Sequence, residues 1–199
     1  MMLVAFSQAA HAGFDFQIRT FNGAVETPNF ILGDTVTVRV FANDTAGPSP
    51  DFATQNMTGF TTKIFASTSD ANDGAGSQTF NPLFSQGSGA NGANFDVTGR
   101  SFGASSPVAG FTATSPIELV SFSYTADVAG NTTLSFDPNL IQHALTFVAP
   151  APVDGYSPVS TANLIGRTVS VVPEPSSLAI VGLVAMGLGF RRSRRKLAC

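Results

Sequence analysis

Short alternating runs of apolar and polar residues, separated by clusters of Gly, Asn, Asp, Ser and Pro, fill most of the chain, and this period of two predicts strands. The clearest run is Thr35-Val36-Thr37-Val38-Arg39-Val40-Phe41. Its valines face one side and Thr35, Thr37 and Arg39 the other, so the valine face is expected in a core. Further strands are predicted near Phe14–Phe21, Phe60–Ala66, Gln78–Phe84, Asn94–Thr98, Ile117–Thr125, Thr132–Phe136, Ala144–Val148 and Leu164–Val171, with the first run extending to Ala42. Val120, Phe122 and Tyr124 alternate with serines, and Leu134 and Phe136 follow the Asp127–Asn131 turn, which reads as a hairpin. Loops are expected over Asn43–Gln55, Ser67–Gly92 and Pro150–Pro158, and a short helical turn could fit between Pro138 and Ala144. The expected fold is all-β, a single antiparallel β-sandwich over residues 13–171.

The pattern changes completely at the C-terminal end. Leu178–Phe190 is thirteen residues with no charge or strong polar group, and Arg191, Arg192, Arg194, Arg195 and Lys196 follow at once. Counted from Pro173, which a first helical turn tolerates, the segment 173–190 would reach about 27 Å as a helix, close to the roughly 30 Å of a bilayer core. No polar face exists to meet water, so a transmembrane helix is expected rather than a buried one. Half of the chain's ten Lys and Arg sit directly behind it, which orients residues 191–199 to the cytoplasm. At the other end, Met1–Phe6 is apolar and Ala10-His11-Ala12 has the small-x-small form of a signal-peptidase site, predicting a mature start at Gly13. Residues 1–12 lack a basic n-region, so they read as the remnant of a signal peptide whose true start lies upstream or was truncated.

Composition narrows the function classes. Residues 13–171 hold five basic residues (Arg19, Arg39, Lys63, Arg100, Arg167) and twelve acidic ones, 5 minus 12 or −7. Such a surface argues against nucleic acid, which is bound through Lys and Arg on phosphates. The lone cysteine is Cys199, so the exported part can form no disulfide and no His/Cys zinc site. His143 is the sole histidine after Ala12, and no Gly-x-Ser-x-Gly elbow accompanies it, so a structural or surface role is expected and no catalytic residue is assigned. Asp70-Ala71-Asn72-Asp73-Gly74 misses the EF-hand spacing, because Gly74 falls fifth and the twelfth position is Asn81. A polar turn is the favoured reading there, an irregular calcium site stays open, and no metal or cofactor is assigned. Eighteen Phe, two Tyr and no Trp make a core-like aromatic set, which demotes a stacking carbohydrate site.

Pro173-Glu174-Pro175, the apolar run and the basic block together resemble the C-terminal sorting signal of PEP-CTERM envelope proteins of bacteria. The resemblance implies export, transient anchoring in the inner membrane, processing by a membrane-embedded exosortase that reads Pro173, Glu174 and Pro175, and delivery to the surface or the extracellular space. A second resemblance lies inside the β region. Gly33-Asp34-Thr35-Val36-Thr37-Val38, Gly59-Phe60 and the Leu119–Phe136 run are similar to strand signatures of cohesin-type sandwiches, so the sandwich is expected to be jelly-roll or cohesin-like. It implies a dockerin partner, but no partner-binding residues can be carried over. The expected function is therefore a non-enzymatic structural or adhesive sandwich, associated with exopolysaccharide or an envelope protein. Alternatives are a cohesin-like module for one specific partner, a carbohydrate- or ice-binding module, which lacks a Thr-x-Thr ladder here, or a hydrolase using carboxylates alone.

Overall fold

The computed structural model describes residues 13–45, 56–68, 78–84, 86–89, 99–105, 112–138, 143–147, 156–158 and 163–174. Among them the strands are β1 (Gly13–Asn22), β2 (Val25–Glu26), β3 (Asn29–Ile31), β4 (Thr35–Thr45), β5 (Met57–Ala66), β6 (Thr79–Phe80) and β7 (Gln86–Gly89). They continue with β8 (Arg100–Ser105), β9 (Ile117–Thr125), β10 (Gly130–Phe136), β11 (Ala144–Phe147), β12 (Tyr156–Pro158), β13 (Leu164–Ile165) and β14 (Arg167–Val172). One sheet runs β13-β1-β4-β9-β6, with β2 on β1. The other runs β12-β11-β5-β10-β14-β3, with β8 on the free edge of β5 and β7 on β8. The result is an all-β, two-sheet sandwich.

Alternation in the sequence explains which faces meet. Val36, Val38, Val40 and Ala42 of β4 are fully buried, while Thr37 and Arg39 look outward. From β1, Phe14, Phe16 and Ile18 enter the same core. Opposite them stand Phe60 and Ile64 of β5, Leu134 and Phe136 of β10, and Val169 and Val171 of β14. Phenylalanine rings join the sheets directly: Phe14 stacks on Phe147 at 5.6 Å, Phe102 on Phe122 at 5.2 Å, and Phe16 meets Phe136 at 6.2 Å. Each such contact adds about 0.5–1.5 kcal/mol to the burial itself. On the outer face, Arg39 lies over Phe21 at 4.4 Å and Arg19 over Phe41 at 4.8 Å, so two outward rings are clad by guanidinium groups.

Several expectations need correction. The sandwich is mixed rather than antiparallel, because β13 pairs parallel to β1 and β3 parallel to β14. The Leu164–Val171 run is two strands in different sheets. Gly166 divides them, and a Cβ there would lie 2.5 Å from the Leu134 carbonyl oxygen, so only glycine lets the chain turn the corner against β10. Likewise β9 and β10 form no hairpin. They lie in opposite sheets, because each has its own apolar face to bury and an arch across the core buries both. Leu119 and Val120 are both buried since the β4–β9 register slips between Val40 and Phe41. The Gln78–Phe84 strand shrinks to β6, ended by Asn81, whose side-chain oxygen accepts from Leu83 N at 3.0 Å. Strands β7 and β12 occupy parts of two predicted loops, and β4 runs on to Thr45. The Asn94–Thr98 strand, the Asp70–Gly74 turn and the helical turn proposed after Pro138 lie wholly or largely outside the described residues. So do Ala10, Ala12 and everything from Pro175 on.

Candidate functional site

The site legible in this molecule is the end of the sandwich from which the sorting tail leaves. Strand β14 is held on both sides, antiparallel by β10 from Gly130 to Leu134 and parallel by β3 from Asn29 to Ile31. Its Val171 is buried, and the Val172 carbonyl accepts from Leu32 N at 2.9 Å. The next residues, Pro173 and Glu174, are exposed and outside any strand. Proline explains the stop, since it has no N–H to continue the ladder. The Pro-Glu-Pro box therefore starts one residue beyond a fully paired strand.

The same end is tied together by the turn that carries the chain from β3 to β4. Asp34 N donates to the Ile31 carbonyl at 2.9 Å, closing a β-turn with Gly33 at φ +94°, a conformation that glycine accepts without strain. The Asp34 carboxylate oxygen Oδ2 accepts from Ile31 N at 2.9 Å and from the Asn22 side-chain amide at 3.0 Å. Gly33 N donates to the Ala126 carbonyl, and Ala126 N donates to the Asp34 carbonyl, each at 2.8 Å. Two of the sheet-to-sheet crossings, β3 to β4 and β9 to β10, are thus bonded to each other beside the exit of the tail. Gly33-Asp34, noticed in the sequence as a strand signature, is the residue pair that makes this corner.

His143 is fully buried. Its Nε2 lies 2.7 Å from the Asp137 carbonyl, which can only accept, so Nε2 carries the proton and Nδ1 accepts from the Thr62 hydroxyl at 3.0 Å. Phe16 and Phe136 meet the ring edge-on. Burial pushes the imidazole below its ordinary range, against smaller opposing effects of the Asp137 carbonyl and carboxylate. Both ring nitrogens are occupied by scaffold partners, so the arrangement pins the β10–β11 connection to β5. The sequence marked His143 as structural or surface, and its Thr62 partner, 81 residues away, had no signal there.

Three of the described carboxylates serve the scaffold in the same way. Asp137 pairs with Lys63 at 3.4 Å, Glu118 with Arg39 at 3.5 Å, and Glu26 with Arg167 at 3.9 Å. Burial alone raises the Asp15 carboxyl above its usual range. No group of three or more His, Cys, Asp or Glu suited to a metal occurs among the described residues. Arg100, buried and lying over Phe102 and Phe122 at 5.4 and 5.6 Å, gives a hydrogen bond to the Gln78 side chain. Sequence reasoning missed it, because a lone arginine before an alternating run normally reads as surface.

Fold and exit together define a class: an all-β sandwich with a cohesin-like fold, followed directly after its last described strand by a sorting signal. Residues 171–195 match the family model described as the PEP-CTERM protein-sorting motif. The match includes Pro173, Glu174, Pro175, Arg191, Arg192, Arg194 and Arg195, with Lys196 one residue beyond. Among solved structures the chain resembles a type III cohesin module of a cellulosomal, cell-surface anchoring scaffoldin of Ruminococcus flavefaciens. The TM-score is 0.52 at 11% identity, over 80% of this chain and 88% of that one. A non-cellulosomal cohesin of the archaeon Archaeoglobus fulgidus resembles it with a TM-score of 0.50 at 10% identity, over 83% and 96% of the two chains. At these identities the likeness concerns the fold. Comparison with curated proteins returned no match. The sorting motif makes the chain an exported substrate of an exosortase.

No helix among the described residues is long and apolar enough to cross a membrane. Of the expected span 173–190, only Pro173 and Glu174 belong to the described residues.

Proposed function

We propose that the protein is a non-enzymatic structural or adhesive sandwich of the cell surface or extracellular matrix, delivered intact by its tail. The observation that carries this reading is the junction at Val172. The last strand is complete before the box begins, so removal of the tail after Pro173–Pro175 costs the fold no strand. At the other end, signal cleavage after Ala12 would keep every described residue of β1, Gly13–Asn22. The tail from Val172 to Cys199 supplies the processing box, a helix 173–190 held transiently in the inner membrane, and the basic cytoplasmic end 191–199. A non-catalytic role is supported by His143, whose two nitrogens are occupied, and by Asp137, Glu118 and Glu26, each paired with a cation. The working partner is an exopolysaccharide or an envelope protein.

The test is fractionation of cells making the full chain and a chain ending at Val172. The full chain is expected at the surface or in the medium as a shortened product, and the truncated chain in the periplasm. Identical distributions overturn the reading.

The cohesin-like fold favours a second reading, a module that recognises one envelope protein. It predicts that residues 13–172, used as bait on an envelope extract, recover a single stoichiometric partner. A passive matrix component recovers none, or many in small amounts.

A further inference from the structure

Few large apolar side chains of the described residues are exposed, and four of them stand on backbone that is bonded together at one end of the sandwich. Val172 is 50% exposed, Val128 45%, Ile31 42% and Leu32 37%. Val172 and Ile31 are paired across β14 and β3, and Leu32 donates its N–H to Val172. Val128 lies between Ala126, bonded to Gly33 and Asp34, and Gly130, paired with Val171. These pairings bring the backbone of all four to the end where the tail departs, and their exposed side chains make that end an apolar cap on backbone fixed by the paired turns described above. Apolar residues scattered singly need no explanation, but four gathered on one rigid end do.

The chain itself says what this end faces. Five residues, Pro173 to Ser177, separate Val172 from the apolar run that begins at Leu178. As the first turns of the helix 173–190 they rise about 8 Å, and fully extended they span at most about 18 Å. While the tail is embedded, the cap is confined to within that distance of the bilayer. We propose that the Val172/Ile31/Leu32/Val128 cap is a membrane-docking surface that sits in the headgroup layer of the anchoring bilayer and holds the Pro-Glu-Pro box at the depth of an embedded protease. The inference rests on the membrane-anchor reading of the tail. Tethering makes a small patch sufficient, because the bilayer is then present at high effective concentration. The acidic neighbours Asp127 and Glu174, both exposed, fit the cap to zwitterionic rather than anionic headgroups. Once the tail is cut, four side chains without a tether bind too weakly to retain the sandwich, and processing becomes release.

The protein has no tryptophan, so a single one reports its surroundings without background. Full-length Val128→Trp and Leu83→Trp are reconstituted into phosphatidylcholine vesicles with brominated acyl chains. Leu83 is the control, being 46% exposed on the turn after β6, where Asn81 bonds to Leu119 and Glu118. That level of β9 lies about 25 Å along the strand from Ala126. The expected result is blue-shifted, strongly quenched emission from Val128→Trp and unquenched emission from Leu83→Trp, with Leu32→Trp repeating the first outcome. Co-sedimentation with the vesicles without quenching of either cap reporter overturns the docking surface and leaves the anchor standing. Equal quenching of Leu83→Trp overturns the orientation and the proposal with it. Failure to co-sediment overturns the anchor reading and therefore the inference built on it.

Discussion

His143 shows how a titratable residue can be spent on the fold. Its proton sits on Nε2, Thr62 supplies the other bond, and burial keeps the ring neutral. The folded pKa is lowered relative to the ordinary value near 6.5, so the unfolded chain binds the proton first as pH falls. Stability is therefore complete above about pH 6.5 and declines as pH drops from there towards the folded pKa. Urea denaturation from pH 8 to 5 is expected to show this decline in the wild type, and His143→Phe is expected to remove it. Thr62→Val leaves Nδ1 without a donor and is expected to cost about 1–3 kcal/mol at pH 8 by the same measurement. At Gly33 the difficulty is backbone: a Cβ meets no atom within 4 Å, but φ is +94°. Gly33→Ala is expected to lower stability by about 1 kcal/mol through conformation alone.

Among the elements, those whose apolar and polar residues mainly alternate are legible in the sequence. Thr35–Phe41 and Ile117–Thr125 appear as β4 and β9 with the expected faces buried. What alternation could not show was the partner of each strand. Nothing local distinguishes a hairpin from an arch between β9 and β10, since both bury Phe122 and Leu134. Gly166 was a usable signal for the break between β13 and β14, as a glycine inside a strand pattern marks a corner or a close approach. Strands β2, β3 and β12 are too short for any period to be visible. Yet β3 matters, because its fully buried Phe30 locks the edge beside β14. Phe30→Ala is expected to cost about 3–5 kcal/mol, and hydrogen exchange should report early loss of protection at Leu32 N.

At the scale of the molecule, the Pro-Glu-Pro box follows the last described strand directly. Ending the chain at Val172 is therefore expected to leave the urea midpoint of the sandwich unchanged while abolishing surface delivery. Ending it at Gly166 instead removes β14, exposes the flank of β10, and is expected to prevent folding. Sequence by itself determined the address and the class of fold. The box, apolar run and basic block form one contiguous segment, and strand alternation is a local property that needs no partner to be seen. Only the tertiary structure decided that Gly33-Asp34 bonds to Ala126, that Thr62 holds His143, and that Val172, Ile31, Leu32 and Val128 share one end. Those contacts join positions tens of residues apart, and their energy depends on which strands pair and where the chain changes sheets, a choice that no single stretch encodes. The tail that dominates the sequence is thus joined to a surface that becomes visible only after folding.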